Sequence, residues 1–104
     1  MPAPPYPDRD PALARRLVED HGALLLDVRS LDEYRAGHLD QAMHVPHNEL
    51  ADRIAELDAR VGRDKGKPIV VYCKAGARAA TAKSVLVKHG YTHVTNLGGM
   101  TDWQ

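Results

Sequence analysis

Two continuous apolar runs, Ala23-Leu24-Leu25-Leu26-Asp27-Val28 and Pro68-Ile69-Val70-Val71-Tyr72, constrain the fold of this chain more than any other feature. Neither run alternates apolar with polar residues, so each predicts a strand covered on both faces, the situation of a parallel sheet. The segments around them carry helical rather than hairpin signals. Connections of that length join parallel strands, and the expected fold class is α/β, with a central, mainly parallel sheet flanked by helices on both faces.

Taken in order, residues 1–9 form a Pro-rich lead that is expected to be extended or disordered and to do no chemistry. The domain proper is expected over 10–104. Asp10-Pro11 is a helix start, with Leu13, Leu17 and Val18 as its apolar stripe and Gly22 beyond its end. Ser30 with Glu33 three residues on has the form of a capping box, and the short helix it opens runs through Tyr34 to Ala36 and stops at Gly37. Residues 38–46 are irregular apart from a short strand over Ala42-Met43-His44-Val45. Asn48 then caps a helix that places Leu50, Ile54, Leu57 and Val61 on one face. Beyond the Pro68 strand, Ala77 to Lys88 reads as a helix with Ala80, Ser84, Val85 and Val87 toward its apolar side. Thr92 to Leu97 reads as a further strand, and the Gly98-Gly99 turn leads into a single helical turn.

The 104 residues suffice for one core, which without Phe must be built from Leu, Val, Ile and Ala. Equal numbers of basic and acidic residues, 14 each, make neither nucleic acid nor an anionic membrane an expected partner. One cysteine cannot form an internal disulfide. No apolar run approaches the length of a membrane span, and a reducing, cytoplasmic location is the expectation. No cofactor is expected. His38, His44 and His47 lack the spacing of a helical metal-binding pair, so structural or surface roles are expected for them and no metal site.

Chemistry concentrates in Cys73-Lys74-Ala75-Gly76-Ala77-Arg78. The only thiol stands where an apolar strand meets a helix, and the backbone N–H groups of a loop and a first helical turn favour its thiolate. Gly76 lets the backbone curl, while Lys74 and Arg78 add positive charge. Asp27 and Arg29, at the end of a strand expected to neighbour that of Cys73, are expected to support the walls of the site through ion pairing, Arg29 with Glu33 or another carboxylate.

An ordered series of motifs carries a resemblance. Asp27-Val28-Arg29, Glu33-Tyr34, Gly37-His38-Leu39, Ala42 with Val45-Pro46, the Cys73 to Arg78 loop, and Gly98-Gly99-Met100 with Trp103 together resemble a single-domain rhodanese over residues 10 to 104. Gln41, where Gly is usual, Ala79, where Ser is common, and the end of the chain at Gln104 depart from the family pattern. The resemblance implies a rhodanese-like fold and a sulfurtransferase that moves sulfane sulfur through a persulfide on Cys73. Lys74, Ala75, Gly76, Ala77 and Arg78 would form the substrate cradle. The implied partners are a small anionic sulfur donor such as thiosulfate and a thiol or cyanide-type acceptor, with a sulfur-relay protein as a further candidate. The alternative is a carrier or protein-interaction module that serves one partner without rapid turnover. Cysteine-dependent phosphatases put one more residue between Cys and Arg than this chain does, and the tighter loop favours sulfur on the cysteine over a bound phosphate.

Overall fold

The computed structural model describes residues 2–103; the Met1 end of the lead and the Gln104 terminus fall outside them. Helix α1 (Pro11–His21) is followed by β1 (Leu24–Asp27), α2 (Leu31–Ala36), β2 (Met43–His44), α3 (Ile54–Arg60), β3 (Ile69–Cys73), α4 (Ala77–Lys88) and β4 (Val94–Gly99). One turn of 3-10 helix precedes α3 at Ala51–Arg53, and another follows β4 at Met100–Asp102. The four strands form one sheet in the order β2-β1-β3-β4, and each neighbouring pair is parallel.

Both apolar runs occupy the centre of this sheet, paired from Leu24 with Ile69 to Asp27 with Tyr72. Alternation along each strand divides their side chains between two cores. Leu24, Leu26, Ile69, Val71 and Cys73 pack with Leu50, Ile54 and Leu57 and with Ala79, Ala82 and Leu86 of α4. Leu25, Val70, Tyr72 and Leu97 face Leu13, Ala14 and Leu17 of α1 on the other side. Burial of Leu13 and Leu17 contributes about 1.5–3 kcal/mol each, which is what holds a helix of only three turns in place.

The start of α1 and the Ser30 cap form as the sequence predicts. Asp10 accepts from the Leu13 N–H at 3.0 Å, and Ser30 and Glu33 form a reciprocal capping box. Four expectations need correction. The segment after Asn48 is a turn and one 3-10 turn before α3 begins at Ile54, and no side chain caps it; Leu50 and Ile54 are buried all the same, because the tighter turn still directs both inward. On α4 the buried row is Ala79, Ala82 and Leu86, whereas Val87 is 53% exposed and Ala80 and Ser84 face solvent. In so alanine-rich a helix the phase is set by docking onto β3, where small side chains allow close approach. The last strand starts at Val94, two residues later than expected, since the Thr92 N–H is taken by the Lys65 carbonyl.

The fourth correction concerns the lead. Tyr6 is buried at 3% exposure with its ring edge-on to His93, and residues 7–9 run along the outer side of β4. The Thr95 hydroxyl donates to the Pro7 carbonyl at 2.7 Å, the Asn96 N–H donates to Asp8 at 3.0 Å, and the Arg9 N–H donates to the Asn96 carbonyl at 2.7 Å. An edge strand with unpaired backbone groups is thereby covered by the chain's own N-terminal strap.

Candidate active site

Because all strands run the same way, Asp27 at the end of β1 and Cys73 at the end of β3 share one edge of the sheet, the edge where open α/β folds keep their sites. Cys73 pairs with Gly99, and a register shift after Val71 displaces Leu97 from the ladder, so that Tyr72 pairs with Gly98. That bulge brings Gly99 against the Lys74 backbone, where a Cβ at Gly99 would collide with the Lys74 carbonyl. The bare Gly98-Gly99 turn is what admits the loop.

From Cys73 the chain turns through Lys74 and Ala75 to Gly76, whose φ of +106° suits glycine, and α4 begins at Ala77. No side chain caps α4, and its first amides are left for the sulfur. The Gly76 N–H lies 2.9 Å from Cys73 Sγ. Burial pushes the thiol up, but the N–H groups of Ala79, Gly76, Ala75 and Arg78 outweigh it and hold Cys73 below the usual thiol range. The loop is held from outside as well: Asn96 Nδ2 donates to the Gly76 carbonyl at 3.0 Å and Arg9 Nη2 to the Ala75 carbonyl at 2.7 Å.

Cys73 itself is only 1% exposed, yet it lines a pocket of about 330 Å³ with Arg29, Glu33, Ala36, Lys74, Met100 and Thr101. The thiol is thus reached through a pocket rather than presented on the surface. Lys74 is exposed in its wall.

Behind this wall Asp27 is fully buried and satisfied. Arg29 Nη2 binds it at 2.7 Å, Tyr72 donates its hydroxyl at 2.8 Å, and the Arg29 N–H donates at 2.9 Å. The same Arg29 Nη2 donates to the Gly37 carbonyl at 2.7 Å, and the Leu39 N–H donates to the Tyr72 hydroxyl at 3.1 Å. The Asp-Val-Arg end of β1 therefore ties together the strand, the end of α2 and the segment that follows it. Burial pushes the Tyr72 hydroxyl well above its usual value, keeping it a donor to the carboxylate.

A model of the rhodanese-like domain matches residues 10–104. The chain belongs to the rhodanese-like domain family. Thiosulfate sulfurtransferase PspE of Escherichia coli (strain K12) is 39% identical over 77 residues, covering 74% of this chain and 70% of that protein. A solved rhodanese with anions from E. coli is 38% identical, with a TM-score of 0.67 over 77% of this chain and 89% of its own. The tRNA uridine(34) hydroxylase of Sodalis glossinidius is 32% identical over 83 residues; the match covers 80% of this chain and 24% of that protein. Relatives named as sulfurtransferases support sulfurtransferase activity in general for this rhodanese-like domain.

Two site residues stood outside the sequence-based selection. Glu33, expected as a cap and as a candidate partner of Arg29, caps α2 but accepts from both Nη atoms of Arg78, at 2.6 and 3.0 Å, while Arg29 pairs with Asp27. The Arg78 fork, expected to face a donor, is engaged by this carboxylate. Arg78 holds Glu33 down to about 2 against the opposing effect of partial burial, with the Ser30 N–H and hydroxyl assisting. Arg9 is the second, and nothing in the Pro-rich lead signalled that it would meet the loop. Of the histidines, His38 stacks on one side of the Tyr34 ring at 3.7 Å and His44 on the other at 4.5 Å. Among the described residues no group of three His, Cys, Asp or Glu side chains is placed to hold a metal ion, and no helix is long and apolar enough to cross a membrane.

Proposed function

We propose that this rhodanese-like domain is a thiosulfate or persulfide sulfurtransferase with Cys73 as the sulfur carrier. One observation carries the reading: Cys73 Sγ lies in a pocket beneath N–H groups of its own loop and of the first turn of α4, which lower its pKa without a general base. In the first half-reaction the Cys73 thiolate attacks the outer sulfur of thiosulfate. The new sulfur–sulfur bond forms as the old one breaks, and sulfite leaves with the bonding pair. The persulfide then carries its negative charge on the terminal sulfur, where the same amides oppose it. In the second half-reaction an acceptor such as cyanide or a thiolate attacks that terminal sulfur, and Cys73 departs as thiolate. Charge balances in both halves.

Lys74, Ala75, Gly76, Ala77 and Arg78 form the cradle in this reading. Ala75, Gly76 and Arg78 contribute amides, Ala77 opens the helix, and Lys74 draws an anionic donor to the pocket. Asp27 and Arg29 fix the adjoining wall. Because Arg78 neutralises Glu33 and Asp27 pairs with Arg29, Lys74 is the cation that this wall presents to the donor. The solved E. coli relative described as containing anions is consistent with an anion-accepting site. Turnover of thiosulfate with cyanide in the parent, and its loss in Cys73→Ser, tests the proposal; equal turnover in the two would refute it.

A second reading has its own observation. The matching region is about a quarter of the Sodalis hydroxylase, so a related domain also serves as part of a larger protein. In that case Cys73 would pass sulfur to or from a partner protein, seen as a persulfide adduct without thiosulfate:cyanide turnover. Function in the cytoplasm fits a persulfide carrier, since a reducing compartment keeps the single thiol available.

A further inference from the structure

The strap ahead of α1 reaches the reactive loop through one peptide group. Arg9 Nη2 donates to the Ala75 carbonyl at 2.7 Å, and the Gly76 N–H lies 2.9 Å from Cys73 Sγ. That carbonyl and that N–H belong to the same peptide unit. The unit is trans, so the two point in opposite directions. A single planar group is therefore gripped by a guanidinium at its outer end and faces the sulfur with its inner end.

The surroundings are shaped for this grip. A Cβ at Gly76 would run into the Arg9 guanidinium, and one at Gly98 would press on it at 3.0 Å, so two glycines form the slot through which Arg9 passes. Arg9 is delivered by an anchored backbone: its N–H is bound to the Asn96 carbonyl, and its neighbour Asp8 accepts from the Asn96 N–H and pairs with Lys83 at 2.6 Å. The residue has a φ of +56°, uncommon for a side chain with a Cβ. Asn96 holds the next peptide by its Gly76 carbonyl, leaving the Ala75–Gly76 unit to Arg9.

We propose that Arg9 is a positioning residue of the Cys73 loop: by binding the Ala75 carbonyl it keeps the Ala75–Gly76 peptide turned with its N–H on Cys73 Sγ. A charge-assisted bond to the carbonyl also polarises the peptide and strengthens the N–H as a donor. Without Arg9 the peptide, bounded by a glycine with wide conformational freedom, turns away and withdraws a donor from the thiolate and from the terminal persulfide sulfur. Arg9 lies one residue ahead of the stretch that matches the family model.

The catalytic consequence rests on the sulfur-transfer reading, whereas the geometry concerns the thiol alone, and the test separates them. Cys73 is the only cysteine, so the rate of alkylation by iodoacetamide against pH reports its thiolate directly. Arg9→Ala is expected to raise the midpoint of that profile by about half to one pH unit, a three- to tenfold loss of thiolate below it, with Arg9→Lys recovering part. Persulfide formation from thiosulfate should slow by a similar factor. Lys83→Ala, which removes only the partly exposed pair with Asp8 and keeps both anchors on the Asn96 backbone, should leave the midpoint in place. An unchanged midpoint in folded Arg9→Ala overturns the proposal, as does an equal shift in Lys83→Ala. If Arg9→Ala fails to fold, Arg9→Gln carries the same expectation and the same refutation. A parent that takes sulfur from no donor defeats the sulfur-transfer reading while the alkylation profile still decides the role of Arg9.

Discussion

Arg78 and Glu33 meet as a two-point ion pair, Nη1 to Oε1 at 2.6 Å and Nη2 to Oε2 at 3.0 Å, joining the first turn of α4 to the first turn of α2. Each helix start has a second duty. The Arg78 N–H belongs to the group that lowers the Cys73 pKa, and Glu33 closes the capping box with Ser30 while lining the pocket. In the sulfur-transfer reading proposed above, the pair would set the charge that an incoming donor meets.

Removing Arg78 leaves a carboxylate uncompensated in the pocket wall. Arg78→Ala is therefore expected to raise KM for thiosulfate by about tenfold, equivalent to about 1.4 kcal/mol, against about two- to threefold for Lys74→Ala. The double variant Arg78→Ala with Glu33→Gln should recover much of the loss. Steady-state kinetics on the four proteins checks this; equal KM values for Arg78→Ala and Lys74→Ala would show that the Glu33 charge does not reach the donor.

The same pair has a pH signature. Glu33 is held at about 2 in the folded chain against an ordinary value of 4.5, so its contribution to stability is complete above about pH 4.5 and is lost as pH falls toward 2. Glu33→Gln should be less stable than the parent by about 1 kcal/mol at pH 7, a modest figure because the pair is partly exposed to solvent. Urea denaturation across acid pH should show the two proteins converging as pH drops. A gap that stays constant down to pH 2 would assign the loss to the cap alone.

Asp27 offers a sharper contrast, because nothing screens it. Asp27→Ala leaves the nearly buried Arg29 guanidinium and the Tyr72 hydroxyl without their shared acceptor, and a loss of about 3–5 kcal/mol is expected. Tyr72→Phe removes one bond to the carboxylate and strands the Leu39 N–H, for about 1–3 kcal/mol. Denaturation midpoints measure both. A smaller loss for Asp27→Ala than for Tyr72→Phe would contradict the arrangement.

The legibility of this chain followed the strength of its local signals. Unbroken apolar runs made β1 and β3 visible and parallel, and the Cys73 strand-to-helix turn was plain because a lone thiol, a glycine and an arginine stand together. The phase of α4 was hidden, since alanines on every side leave no periodic contrast and tertiary docking decides which row is buried. Glu33 was visible as a cap and as a candidate partner of Arg29, but not as the partner of Arg78, which lies 45 residues away. Arg9 was hidden for a related reason: the prolines around it read as a disordered lead, and the anchors that order the strap, Tyr6 against His93 and residues 7–9 along β4, exist only once the sheet has formed.

Uptake of sulfur by Cys73 is the step on which the proposed function depends. Intact mass of the protein after treatment with thiosulfate, in the absence of an acceptor, measures this directly. The prediction is a gain of one sulfur atom in the parent, reversed by cyanide and absent in Cys73→Ser. A parent whose mass is unchanged by thiosulfate and by persulfide donors, or a gain that persists in Cys73→Ser, would contradict it.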